Sequence, residues 1–308
     1  MNKLTSLGNI YGSLAITTGQ SWWVAPAAAY TINGKAYTAS DDNVGTTAER
    51  ALLTIARAIA LATASTGDVI YLLPGAHSVT ASLAVSKAGL RIFGFPGNAI
   101  RPASSITISA SDEIMNVTAA DVELAWLRLI PITAKAAVDF SVAAHRLYVH
   151  HCSFDMATPV ASTSTLGVAA AAATSAPTYL RVSRNYFESD GAQGAGVAVG
   201  DAQNFVVEGN TFALAAGTWA AAATQDGVLG FGVFRDNDFL CFQAGTMTIG
   251  IRGTDVTSVS STGILRNFFG DDVSTPIDDY GAGDAFIAQN YKASVGVASG
   301  GLLWSSTT

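Results

Sequence analysis

One short phrase recurs six times between residues 148 and 292: an apolar residue, two spacers, a polar pivot, one spacer and usually a Phe. The copies are Val149-His-His-Cys152-Ser-Phe154, Val182-Ser-Arg-Asn185-Tyr-Phe187, Val207-Glu-Gly-Asn210-Thr-Phe212, Phe234-Arg-Asp-Asn237-Asp-Phe239, Ile264-Leu-Arg-Asn267-Phe-Phe269 and Ile287-Ala-Gln-Asn290-Tyr-Lys292. Two all-apolar copies precede them, at Leu90–Phe95 and Val122–Leu129. From Phe95 to Asn290 the pivots are 32, 25, 33, 25, 27, 30 and 23 residues apart. A period that wanders through the twenties and low thirties marks a solenoid with loops of variable length.

The phrase alternates apolar and polar residues, with Val, Ile and Phe at the inward positions, which is strand chemistry. From residue 66 onward no 12-residue stretch has helical periodicity. Successive coils therefore pair as parallel strands about 4.8 Å apart. Asn185, Asn210, Asn237, Asn267 and Asn290 share one position of five consecutive coils. A buried amide without a partner is costly, so the recurrence predicts an internal ladder, with Cys152 as its first, small member.

The ladder and the segment Gly67-Asp-Val-Ile-Tyr-Leu-Leu-Pro-Gly75, followed by Leu90-Arg-Ile-Phe-Gly-Phe-Pro-Gly97, resemble the pectate-lyase-like right-handed parallel β-helix superfamily. The resemblance covers about residues 37–295 and implies an all-β, single-stranded right-handed parallel β-helix of about eight coils. It does not choose a function, because the fold hosts lyases, hydrolases and inert virion parts.

The expected organisation is an N-terminal arm over 1–29, a hairpin and capping helix over 30–66, the β-helix over 67–298 and a tail over 299–308. The helix is expected over 47–64, with Leu52, Ile55, Ala56, Ile59 and Thr63 on one face and Thr46 or Thr47 as N-cap. It would lid the first coil, whose raw edge needs a cover. Asn33-Gly34 predicts the hairpin. The arm contains Trp22-Trp23, more apolar surface than a polar tail carries. Two readings stay open for it: packing along its own β-helix, or docking on another subunit with Trp22 and Trp23 as anchors.

Only 13% of the 308 residues are charged, low against the usual quarter, so the surface is inert or buried against other subunits. A net charge of −7 disfavours nucleic acid as a partner. Two cysteines, Cys152 and Cys241, offer neither a disulfide framework nor metal-ligand spacing. The N-terminus lacks the apolar run of a secretory signal, and no 18-residue apolar stretch predicts a membrane span. The chain is therefore expected to be made in a cytoplasm and not exported by the usual route.

Any surface chemistry of such a solenoid lies on its outward positions. Glu208 over Arg235 and Asp236 over Arg266 predict ion pairs between stacked coils. Asp155 and Glu188, each three residues past a pivot on adjacent coils, form the one carboxylate pair spaced for glycoside hydrolysis, in which retaining enzymes hold two carboxyls about 5 Å apart. At a bend they equally suit solvated turn acids. His145, His150 and His151 invite a metal, but alternation sends His150 and His151 apart and no other coil supplies a His, so no metal is expected. The acidic stretch Asp271, Asp272, Asp278, Asp279 and Asp284 suits turns better than Ca²⁺. Tyr148, Tyr186, Phe268, Phe286 and Tyr291 suit sugar stacking or a subunit interface.

No cofactor site and no assembled active site are expected. The chain is similar to β-helical structural proteins of tailed bacteriophages, which implies a non-enzymatic capsid decoration or head-spike protein. The resemblance further implies a homotrimer bound to the major capsid protein or other virion proteins. The alternative is a short tailspike or adhesin that binds or cleaves host surface glycan; a third is a secreted carbohydrate-active enzyme.

Overall fold

A computed structural model describes residues 19–98, 100–132, 135–156, 165–170, 178–189, 194–200, 202–214, 221–224, 231–240, 247–254, 262–278, 286–293 and 301–303. They form an all-β solenoid whose coils contribute strands to three long sheets. The first sheet holds ten parallel strands, from Ser21–Val24 to Phe286–Ala288. The second runs from Gly75–Val79 to Asn290–Lys292, and Gly301–Leu303 adds a tenth strand antiparallel to the last. The third holds eight strands, from Leu83–Val85 to Val273–Asp278.

The repeated phrase spans the corner between the first two sheets. Its apolar opening residue lies in one inward column, where Leu124, Val149, Val182, Val207, Phe234 and Ile264 are register partners and fully buried. The Phe that closes the phrase lies in another. Phe154, Phe187, Phe212, Phe239 and Phe269 stack with centroids 4.6–4.9 Å apart and planes within 10°. In-register parallel pairing imposes this spacing, since one coil follows another at the strand separation.

At the corner the residue just before each pivot has left-handed backbone. Trp126, His151, Arg184, Gly209, Asp236, Arg266 and Gln289 all have φ between 52° and 60°. The turn carries the chain into the next sheet and directs the following side chain inward. Each interior ladder Asn (Asn210, Asn237 and Asn267) accepts two bonds through Oδ1 and donates two through Nδ2. Asn237 Oδ1 accepts from the backbone N–H and Nδ2 of Asn210 (both 3.0 Å), while its own Nδ2 donates to Val207 O (2.9 Å) and Asn267 Oδ1 (2.9 Å). The column begins where Cys152 N donates to Asn185 Oδ1 and ends at Asn290.

The N-terminal boundary lies earlier than expected. Ser21–Val24 is not part of an arm outside the solenoid but the first strand of the first sheet, paired with Val69–Leu72. Trp22 packs on the core and its Nε1 donates to Asp68 Oδ2 (3.2 Å); Trp23 stacks on Tyr71 at 4.8 Å. Both indoles pack on their own chain, in line with the first of the two readings. Residues 1–18 lie outside the described residues.

The helix expected over 47–64 is also corrected. A 3-10 turn at Ala48–Arg50 stops where Leu52 bridges Val24, and an α-helix follows at Ile55–Leu61. The backbone of Leu52 is spent on Trp23 and Ala25, so it cannot continue a helix. The N-cap is Thr54, whose side chain accepts from Arg57 N, rather than Thr46 or Thr47. Ile55, Ala58 and Ile59 still cover the first coil, and the hairpin of Ala29–Ile32 with Lys35–Thr38 turns at Asn33-Gly34. The tail expected over 299–308 contributes Gly301–Leu303 to the second sheet. No helix among the described residues is long and apolar enough to cross a membrane.

Asn237→Ala strips partners from two buried donors and a buried carbonyl. It is expected to cost about 3 kcal/mol of unfolding free energy, read by chemical denaturation. A loss below about 1 kcal/mol, the net worth of one ordinary hydrogen bond, would contradict a ladder that holds the coils together.

Candidate functional site

Asp155 and Glu188 are indeed neighbours, being register partners on Ser153–Asp155 and Tyr186–Ser189. Neither carboxylate stands free. Arg128 Nη2 donates to Asp155 Oδ2, and Arg101 Nη2 meets Glu188 Oε2 at 2.6 Å. Arg128 sits one coil earlier, and Arg101 is 87 residues from Glu188 on a loop that reaches over the later coils. The pair fastens coil to coil and loop to coil.

That loop, residues 94–103, is a built feature. Asn98 Oδ1 accepts from Ile100 N (3.1 Å) and Arg101 N (2.7 Å), and Ala103 N donates to Phe95 O (2.8 Å). A Cβ on Gly97 would lie 2.3 Å from Arg101 O, and one on Gly94 would lie 2.1 Å from Trp126 O. Glycine is thus required for the loop to close on itself and to leave the sheet beside the next coil. Between the loop and the left-handed bends runs a groove of about 300 Å³, walled by Ile100 and Pro102 on one side and Trp126, His151 and Arg184 on the other. It continues into a space of about 420 Å³ bounded by Arg101, Tyr186 and Glu188.

The histidines correct the sequence reading. His150 and His151 do not diverge: their Nδ1 atoms lie 2.8 Å apart. The left-handed φ of 53° at His151 swings its ring back over Trp126, on which it stacks at 4.3 Å. His150, 3% exposed, stacks on Tyr148 and places Nε2 2.9 Å from Glu123 Oε1. Glu123 also meets Arg91 Nε at 3.2 Å. A single proton can lie between the two Nδ1 atoms, so one ring donates and the other accepts. The result is a carboxylate–imidazole–imidazole chain whose outer member opens on the groove. Burial, then His150 and then Arg184, push the His151 pKa down to about 4, so this ring is neutral at pH 7.

Elsewhere the outward faces match the coil register. Arg235 Nε donates to Glu208 Oε2 (2.8 Å), Arg181 shares the same carboxylate, and Arg266 meets Asp236 at 2.7 Å. His145 Nδ1 lies 3.1 Å from Thr178 N, away from the groove. Among the described residues no three His, Cys, Asp or Glu side chains cluster as metal ligands. Cys152 is free and buried, with its thiol pushed up to about 12 by burial. Cys241, Asp279 and Asp284 lie outside the described residues. Of the outward aromatics, Tyr186 lines the groove, Tyr148 packs between His150 and Arg181, and Phe268, Phe286 and Tyr291 are exposed.

No protein-family model matches the chain, and no curated protein sequence matches it. Solved structures do. Escherichia coli YbhC is 11% identical with a TM-score of 0.58, covering 91% of this chain and 87% of its own. Rice weevil pectin methylesterase is 13% identical with a TM-score of 0.56, covering 83% and 90%. The PL6-family alginate lyase AlyGC is 13% identical with a TM-score of 0.55, covering 91% of this chain and 40% of its own. At these identities the likeness is one of fold: a right-handed parallel β-helix shared with carbohydrate-active enzymes.

Two groups give the protein opposite pH responses. His151 is protonated in the unfolded chain below about pH 6.5 but in the folded one only below about 4. It therefore withdraws stability as pH falls through that window, and His151→Asn, compatible with the left-handed bend, should flatten the acid limb of a stability–pH curve. Asp139 is raised to about 6 by burial and then by Glu113. The folded state binds its proton more tightly, so stability is lost as pH rises through 6. Asp139→Asn should add about 1 kcal/mol at pH 7.5, after screening of a half-buried group, and nothing at pH 3.

Proposed function

We propose that this chain is a non-enzymatic structural protein of a tailed-bacteriophage virion, a capsid decoration or head-spike protein that assembles as a homotrimer on the major capsid protein. The observation that carries the reading is the use made of Asp155 and Glu188. Each carboxylate is bound by a guanidinium of its own chain, so the acidic pair that the sequence offers for glycoside cleavage serves as a fastening. The buried Asn ladder and Phe stack supply what a mechanical part needs, since they join coil to coil from Cys152 to Asn290. The weakly charged sequence suits side-by-side packing.

The groove under the 94–103 loop favours a second reading, a short tailspike or adhesin that holds host surface glycan. Counting copies on purified particles separates the two: hundreds per particle fit decoration, a few tens or fewer fit a tail. Incubating the protein with acidic polysaccharides should release neither reducing ends nor unsaturated products. Release that Glu188→Gln abolishes would overturn the non-enzymatic reading.

A further inference from the structure

The groove wall differs in charge from the bends and faces beside it. Arg146, Arg181, Arg235 and Arg266 on neighbouring bends and outer faces each hold a carboxylate. Arg184 is exposed at the middle of the groove wall and has no ion-pair partner among the described residues. Of the charged groups that line the groove and its continuation, Arg101 pairs with Glu188, which leaves the Arg184 guanidinium as a net positive charge there, in a chain of net charge −7. A positive excess at this place would attract an anionic group against the field of the whole protein.

The remaining wall is mixed. Ile100, 51% exposed, and the ring of Tyr186 offer apolar surface. Trp126 Nε1 is buried without a hydrogen-bond partner. His151, with its Nδ1 engaged by His150, leaves Nε2 for a ligand hydroxyl. Apolar faces beside scattered single donors and acceptors suit a sugar ring, which has both a C–H face and a hydroxyl edge. The groove and its continuation share Asn98, Ile100 and Tyr186, so one ligand can run through both. Their volumes, about 300 and 420 Å³, lie in the range of small-molecule sites.

We infer that this groove binds an acidic sugar, its negative group on Arg184 and its ring against Tyr186 and Ile100. The inference rests on the adhesin reading and names the ligand class and the side chain that selects it. The Arg101–Glu188 contact keeps the loop in place over the site, and the left-handed bends present one wall residue per coil along the rod.

The test is titration calorimetry of the full chain with three hexasaccharides of matched length: one uronic, one sulfated, one neutral. An acidic probe, of either kind, should bind at least tenfold more tightly than the neutral one; the two acidic arms identify the source of the charge. Arg184→Asn, which tolerates the left-handed backbone, should bring acidic binding to the neutral level. Arg266→Asn, at the equivalent bend outside the groove, should leave it unchanged. Acidic binding that Arg184→Asn does not weaken overturns the inference. A neutral probe held as tightly as the acidic ones also overturns it and keeps the adhesin reading. Binding of no probe, with nothing retained from a host surface-glycan extract, overturns both.

Discussion

A side-chain amide inside a protein needs partners for two donors and two acceptor lone pairs, and in a stack of coils those partners exist only above and below. That constraint organises this molecule. Asn185, Asn210, Asn237 and Asn267 each accept from the preceding coil, return one Nδ2 hydrogen to a carbonyl of that coil and donate the other to the Asn of the next, so none is satisfied unless coil spacing and register are held along the row. The Phe column two residues later repeats the demand in apolar form, since rings 4.6–4.9 Å apart with parallel planes need the same registration. Polar and apolar columns thus enforce one geometry.

The ladder also determines what the surface displays. To turn each Asn inward, the preceding residue takes left-handed backbone, which costs a non-glycine residue about 1–2 kcal/mol. Gly209 meets the demand without a side chain, while Trp126, His151 and Arg184 meet it with large ones. These three side chains come out at successive bends along one edge, one per coil. The loop from 94 to 103 lies against that edge, held by Gly94, Asn98 and Arg101. The groove is therefore a by-product of how the ladder is closed, lined by whatever the sequence places one residue before the pivot.

Much of this was legible before any coordinates. The recurring pivot identified the ladder residue by residue, and coil register predicted Glu208 with Arg235 and Asp236 with Arg266. Alternation served less well at the corner. It sends His150 and His151 apart because it assumes extended backbone through both, whereas φ at His151 is +53°. A signal for the correction lay in the phrase itself, since a bend at every pivot requires one residue that breaks the alternation. Periodicity does not place Trp22 and Trp23, because the strand Ser21–Val24 carries no copy of the phrase; its pairing with Val69–Leu72 is visible in space alone.

The sequence by itself determined the parallel β-strand solenoid, its inward columns and, within the repeated phrase, which residues stand in register one coil apart. Those follow from period and alternation, which are local properties of the chain. Tertiary structure decided what crosses more than one coil. Arg101 reaching Glu188 from 87 residues away and the groove between loop and bends both depend on where a loop of irregular length comes to rest. No periodicity encodes that, because such a loop is placed by contacts with distant coils rather than by its own pattern.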